Sequence, residues 1–164
     1  MIVLGIDPGY ALMGWGVVES KGSRIRLINY GVIETFAGTP MQHRLRTLYQ
    51  GVRDLVNIYR PDDVAFEELF FAHNVTTALM VGAARGAAII AATEYTENLY
   101  EYTPGQIKQA VTGDGSARKP QIQAMVKMLL GMNEIPRPDD AADAIACAIT
   151  HCNSGVAKEQ FRMK

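Results

Sequence analysis

Cysteine and histidine are scarce in this chain, with two of the former and three of the latter in 164 residues. Cys147 and Cys152 stand five apart in one stretch, with no CxxC and no histidine at zinc spacing. That speaks against a zinc site or a disulfide framework and for reduced thiols. His43, His73 and His151 fall in different elements without a nucleophile motif, so no Ser–His or Cys–His hydrolase is indicated. No apolar run approaches ~18 residues, so no membrane span is expected. The first residues show neither a basic n-region nor a small-residue cleavage site, so no secretory leader is expected. Charge of one sign is not in excess either: 16 basic and 17 acidic side chains give a net charge of −1. These absences leave a cytoplasmic protein of one domain, long enough to bury a real core.

What is present is concentrated at the start. Ile2, Val3, Leu4 and Ile6 read as a strand covered on both faces, and the run ends in Asp7, followed at once by Pro8 and Gly9. A carboxylate at the end of a buried strand is costly unless charged or hydrogen-bonding groups meet it. Such strand ends are also where open α/β sheets place their chemistry.

Trp15 to Glu19 reads as a second strand, and Ile25 to Glu34 as a third after the turn Lys21–Ser23. Connections this short favour an antiparallel meander. Thr39 can cap a helix with Pro40 at its first position, and Leu45, Leu48, Val52, Leu55, Val56 and Tyr59 follow helical spacing up to Arg60–Pro61. Asp62 to Glu67 is then a fourth strand, reached through a helix and so parallel to the first. After the loop Glu68–Asn74, residues Val75 to Thr93 form a helix crowded with Ala and Gly. Gly82 and Gly86 each cost about 1 kcal/mol there relative to Ala. Small residues at that spacing suit packing on the chain's own sheet or close contact with another helix, across a dimer for instance. Asn98 to Thr103 is a short fifth strand. Helices follow from Pro104 to Val111, from Pro120 to about Leu130, and from Pro138 to about Cys152, with GDGSARKP (Gly113–Pro120) as a loop. The expected fold is α/β: a five-stranded mixed sheet with strands 1–3 antiparallel, strands 4 and 5 parallel to strand 1, and helices on both faces. Ribonuclease H-like domains share this order. Residues 1–153 form the domain and 154–164 a polar tail.

The residues that can meet Asp7 are also acids. Glu67 ends the strand expected beside the first, and Asp139, Asp140 and Asp143 open the last helix. Residues three or four apart share a helix face, so Asp143 projects beside Asp140 or Asp139. Acids in a first helical turn suit the helix dipole, which by itself explains Asp139 and Asp140; Asp143, among alanines and Ile145, is less easily explained so. Crowded carboxylates without His or Cys suit Mg²⁺ or Mn²⁺. Two such ions about 4 Å apart would clamp the attacking and leaving oxygens of a phosphodiester. Basic side chains gather in two segments. Pro104–Lys127 holds Lys108, Arg118, Lys119 and Lys127 against Asp114 alone, and Arg44–Arg60 holds four arginines against Asp54. Either segment is a solvated face or a phosphate-binding surface.

An ordered set of motifs now identifies a resemblance. GIDPG (Gly5–Gly9), AFEE (Ala65–Glu68), ARG (Ala84–Gly86), IKQ (Ile107–Gln109), GSARK (Gly115–Lys119) and DDAADAIACAITHC (Asp139–Cys152) make the chain resemble the RuvC family of Holliday-junction resolvases over residues 1–153. The resemblance implies a ribonuclease H-like fold and a site of Asp7, Glu67, Asp140 and Asp143 that binds two Mg²⁺ ions, with Mn²⁺ as substitute. It settles the Asp139/Asp140 choice in favour of Asp140. It implies that Lys108 and Lys119 engage phosphates, with Arg118 beside them on the DNA, and that Phe70 stacks on unpaired bases at the junction centre. It further implies a homodimer joined along the Gly82–Ala92 helix that nicks two strands of a four-way junction symmetrically in recombination and repair. A RuvA–RuvB branch-migration motor would be its partner in the bacterial cytoplasm.

Three other readings compete. Actin-like and sugar-kinase-like phosphotransferases also begin with an apolar strand followed by Asp and Gly, but need a second domain to close over a nucleotide. A non-catalytic DNA-binding module would make the acids merely structural. A nuclease acting on other branched or single-stranded DNA would use the same metal site.

Overall fold

Alternation along the strands, interrupted by one register shift between β2 and β3, divides the side chains between two faces, and helices cover both. The structure, a computed structural model, describes residues 1–69 and 75–164. Strands β1 (Ile2–Asp7), β2 (Leu12–Lys21), β3 (Arg24–Glu34), β4 (Asp63–Glu67) and β5 (Leu99–Tyr102) make one sheet in the order β3-β2-β1-β4-β5. β2 runs antiparallel to both β1 and β3, while β4 runs parallel to β1 and β5. The helices are α1 (Met41–Tyr59), α2 (Val75–Thr93), α3 (Pro104–Thr112), α4 (Lys119–Leu129) and α5 (Asp139–Ser154), followed by a 3-10 helix over Gly155–Phe161. This is the expected mixed sheet. Two details differ: β2 extends beyond Trp15–Glu19 at both ends, and Pro40 and Pro138 stand just before their helices rather than in the first turn. Pro lacks an N–H, so at either position it adds no unpaired donor of its own.

One face carries Leu4, Ile6, Met13, Val17, Val64 and Phe66 against Leu48, Val52 and Val56 of α1 and Ala84, Ala88, Ala91 and Ala92 of α2. The other carries Val3, Val18, Ala65, Tyr100 and Tyr102 against α5, with Ile107 and Val111 of α3 and Ile122 and Val126 of α4. Local chemistry sets the helix ends. Thr103 Oγ1 accepts from Gln106 N–H while Gln106 Oε1 accepts from Thr103 N–H, a capping box that starts α3. Gly113, at φ +78°, closes it in the left-handed conformation that favours glycine.

The far end of α5 is fixed by a buried polar chain. His151 is fully buried, with Nε2 2.9 Å from Asp63 Oδ2 and Nδ1 2.8 Å from the Tyr102 hydroxyl. Lys158 Nζ also donates to Asp63 Oδ2, at 2.5 Å. Burial pushes the Asp63 carboxyl up, but bonds from His151 and Lys158 outweigh it and hold the group below its ordinary value. The C-terminal residues then cover the open edge of the sheet. Arg162 bridges Tyr100 in antiparallel fashion, and Met163 N–H donates to Leu99 O at 2.9 Å. An edge so covered is not free to pair with another chain.

α2 departs from one expectation. By length and composition it is apolar enough to cross a membrane, although little of it is buried. Arg85 stands inside it, paired with Glu101 of β5 at 2.5 Å, and its alanine face lies on the sheet. Gly82 and Gly86 have open space where a side chain would project. Val75, Leu79 and Ile90 are exposed on the same helix. Cys147 is buried, Cys152 half-buried, and both are free thiols.

Candidate active site

Strand alternation decides where Asp7 and Glu67 point. In β1, Val3 and Gly5 face α5; in β4, Asp63 and Ala65 do so. Two residues further along each strand the same face carries Asp7 and Glu67, at the carboxyl ends of neighbouring parallel strands.

α5 reaches them because the sheet beneath it lacks side chains. A Cβ on Gly5 would fall well inside 3.0 Å of the Ala144 carbonyl oxygen, and one on Gly14 equally close to the Asp140 carbonyl oxygen. On Gly16 it would meet Ile145 Cγ1 at 2.5 Å. Gly5 pairs with Gly16, and Asp7 with Gly14, so the glycines form one contiguous seat across β1 and β2. The first two turns of α5 rest on strand backbone, which brings Asp140 and Asp143 to Asp7. The spacing of Gly14 and Gly16 on one face of a strand was the sequence signal for this seat.

The electrostatics show how crowded the acids are. Asp7 is pushed well above the ordinary carboxylate range, first by burial, then by Glu67, Asp143 and Asp140, with Lys119 opposing. Glu67 is pushed up to about 7 by burial and Asp143, against Lys119 and Lys108. Burial also raises Asp143, although Lys119 Nζ lies 2.8 Å from its Oδ2. Lys119 itself is pulled down by burial, but its hydrogen bond to Asp143 and the surrounding acids more than compensate, so its charge is held more firmly than usual. Asp139 behaves otherwise. It is more exposed than Asp143, pairs with Arg137 and lies 3.7 Å from Lys119, whereas Asp140 is one of the acids that raise Asp7.

A cleft of about 440 Å³ opens beside these acids, lined among others by Glu67, Asp143, Lys108, Ser116, Arg118 and Lys119. The three basic residues expected on the DNA, Lys108, Arg118 and Lys119, therefore border two of the four acids. Phe70 lies outside the described residues. The segment carrying Arg118 and Lys119 is wired by residues that sequence reasoning left without a role. Gln109 Nε2 donates to Gly113 O at 3.0 Å and its Oε1 accepts from Gly115 N–H at 3.0 Å. Asp114 Oδ1 accepts from both Ser116 N–H and Ser116 Oγ.

The donor set is all oxygen, anionic and short of positive charge, which suits a hard divalent cation. Among the described residues, no group of three or more His, Cys, Asp or Glu side chains is arranged to hold a metal ion as it stands. The chemistry of the set fits; side chains would have to rotate inward, with Lys119 releasing Asp143.

The chain is also similar to known proteins. The family profile described as "Crossover junction endodeoxyribonuclease RuvC" matches residues 3–151. A crossover junction endodeoxyribonuclease RuvC from Alkaliphilus oremlandii is 48% identical over 164 residues, covering all of both chains. The structure of T. thermophilus RuvC in complex with a Holliday junction substrate superposes with a TM-score of 0.91 at 40% identity, covering 98% of this chain and 97% of that one. The yeast mitochondrial Holliday junction resolvase shares the fold at a TM-score of 0.70 and 14% identity, over 98% of this chain and 82% of the other. With its ribonuclease H-like sheet and a full-length match to these relatives, the chain belongs to the RuvC family of crossover junction endodeoxyribonucleases.

Proposed function

We propose that this protein resolves four-way DNA junctions by hydrolysing one phosphodiester in each of two strands of like polarity, using divalent cations held by Asp7, Glu67, Asp140 and Asp143. The observation that carries the reading is the meeting of these acids, from two strand ends and one helix, beside a cleft lined by Lys108, Arg118 and Lys119. Asp7 is central: the other three acids all raise its pKa. In this reading Asp7, Glu67, Asp140 and Asp143 would together hold two divalent ions, Mg²⁺ or Mn²⁺. Bound there, the cations supply the charge that lowers the pKa of water and offsets the charge growing on the phosphate.

The chain's own residues do the rest. Glu67 and Asp7 give up the protons that burial favours, so that both present full charge. Lys119 turns from Asp143 to a phosphate oxygen, and with Lys108 and Arg118 it holds the backbone in line with the acids. Phe70 stacks on a base that has lost its partner at the junction centre. Two sites related by two-fold symmetry match the symmetry of a four-way junction. The exposed Val75, Leu79 and Ile90 of α2, with the open space at Gly82 and Gly86, supply the dimer surface. A RuvA–RuvB complex would deliver the junction, in the cytoplasm of a bacterium.

The test uses labelled synthetic DNA. A four-way junction, a linear duplex and a flap are incubated with Mg²⁺, Mn²⁺ or EDTA. Paired nicks confined to the junction and lost in EDTA are expected; equal cutting of the linear duplex would refute the assignment.

A further inference from the structure

Of the four arginines between residues 44 and 60, Arg44 reaches back to the turn that follows Asp7. Its Nε donates to Thr35 Oγ1 at 2.8 Å and a terminal nitrogen donates to Tyr10 O at 3.4 Å. The guanidinium also lies 3.8 Å from the centre of the Tyr10 ring. Thr35, only 6% exposed, passes the contact on: its hydroxyl donates to Tyr10 O at 2.6 Å and its N–H to Ala11 O at 2.8 Å. Gly9 sits so close to the Leu12 carbonyl that no side chain fits there. The turn between Asp7 and β2 is thus held from α1, from the end of β3 and from within.

We propose that Arg44 is a positioning residue for Asp7, acting through Thr35 and Tyr10, and that it does not contact nucleic acid. Asp7 lies between two fixed points, its ladder pairing with Gly14 and the clamped turn. Loosening the turn frees the end of β1, and with it the direction of the carboxylate. A guanidinium suits this task because its planar fork can donate in two directions while its face lies on a ring. Misplacing a reacting group by about 1 Å costs on the order of a hundredfold in rate. The inference rests on the role of Asp7 proposed above.

The test compares Arg44→Gln, Arg44→Lys and Thr35→Val with Arg118→Ala and Asp7→Asn, each first shown to be folded by its melting curve. Four readouts are taken: junction affinity against salt in EDTA, cleavage rate at saturating junction, the Mg²⁺ midpoint of that rate, and the melting-temperature rise that Mg²⁺ gives the protein without DNA. Expected in all three clamp variants are junction affinity within about twofold of wild type with an unchanged salt slope, a rate at least about tenfold lower, a higher Mg²⁺ midpoint and a smaller Mg²⁺-induced rise. Arg118→Ala should instead weaken affinity and flatten the salt slope. Weaker affinity in Arg44→Gln, restored by Arg44→Lys, would overturn the inference in favour of a phosphate contact. Unchanged rate and unchanged Mg²⁺ response in the clamp variants, with Asp7→Asn inactive, would overturn the inference alone. Full activity in Asp7→Asn would overturn the reading of Asp7 beneath it.

Discussion

Gly14 and the backbone carbonyl of Asp140 are so close that no Cβ fits between them. The distance between sheet and helix is set at that point by the missing side chain, and the Asp140 carboxylate inherits it. Gly14→Ala therefore pushes the first turn of α5 outward. A loss of about 1–3 kcal/mol in stability is expected from overpacking, measured by urea unfolding. Junction cleavage should fall further than that loss explains at a temperature where the variant is fully folded.

Asp7→Asn keeps the shape of the side chain and removes its charge. Burial and three neighbouring acids oppose that charge in the fold, so the variant should be as stable as the parent in EDTA, or more so. Cleavage of a synthetic junction should fall by at least about a hundredfold, since the proposed cation site loses its central acid. Junction binding in EDTA should be retained.

Glu67 gives a pH prediction whose sign is fixed. Its folded pKa is raised from the ordinary 4.5 to about 7, so between those values the folded state holds more protons than the unfolded one. Stability in EDTA should then fall as pH rises from 4.5 to 7, by at most about 3 kcal/mol from this group. Glu67→Gln should remove that slope and raise the melting temperature at pH 8 but not at pH 4. The Mg²⁺ response should run the other way, strengthening through pH 7 as the proton leaves. A melting temperature of Glu67→Gln no higher than the parent's at pH 8 would contradict the burial argument.

Lys119 stands between acids and cleft, 2.8 Å from Asp143. Lys119→Ala should weaken junction binding at low salt and reduce the slope of log affinity against log salt by about 1. Electrophoretic mobility assays at three salt concentrations measure both. An unaltered slope would leave Lys119 as a counter-charge for Asp143 only.

Leu79 is 70% exposed on the apolar side of α2. Leu79→Glu should convert a dimer to a monomer in sedimentation, since a charge in an apolar interface is left unpaired. Paired nicking should become single nicking, while the fold and the acids of each site stay intact.

Much of this arrangement is legible along the chain. Asp7 and Glu67 end apolar runs, so two of the acids announce themselves at strand ends. Thr103 three residues before Gln106 marks the start of α3. The three-residue step between Asp140 and Asp143 shows that they share a face. Contacts between distant residues are not legible in this way. Arg44 looks like one of four similar charges until the turn at Tyr10 folds beneath it. Helix spacing alone does not separate Asp139 from Asp140; the motif resemblance favours Asp140, and with α5 seated on Gly14 it is Asp140 that raises Asp7. Asp63, His151 and Lys158 lie 88 and 95 residues apart in their pairings, and no local pattern joins them. The residues after Ser154 read as a polar tail because their partners, the β5 backbone and the side chains of Asp63, Tyr100 and Tyr102, lie far away in sequence.

Alternation has one more effect, on the fidelity of folding. If β1 paired one residue out of register, it would keep its hydrogen bonds but exchange its two faces. Asp7 would then turn toward the apolar layer of α1 and α2, while Leu4 and Ile6 would be forced against the α5 backbone where only Gly5 fits. The side chains proposed to serve the reaction would thus also act as a proofreading device, making the misaligned chain both inactive and unstable.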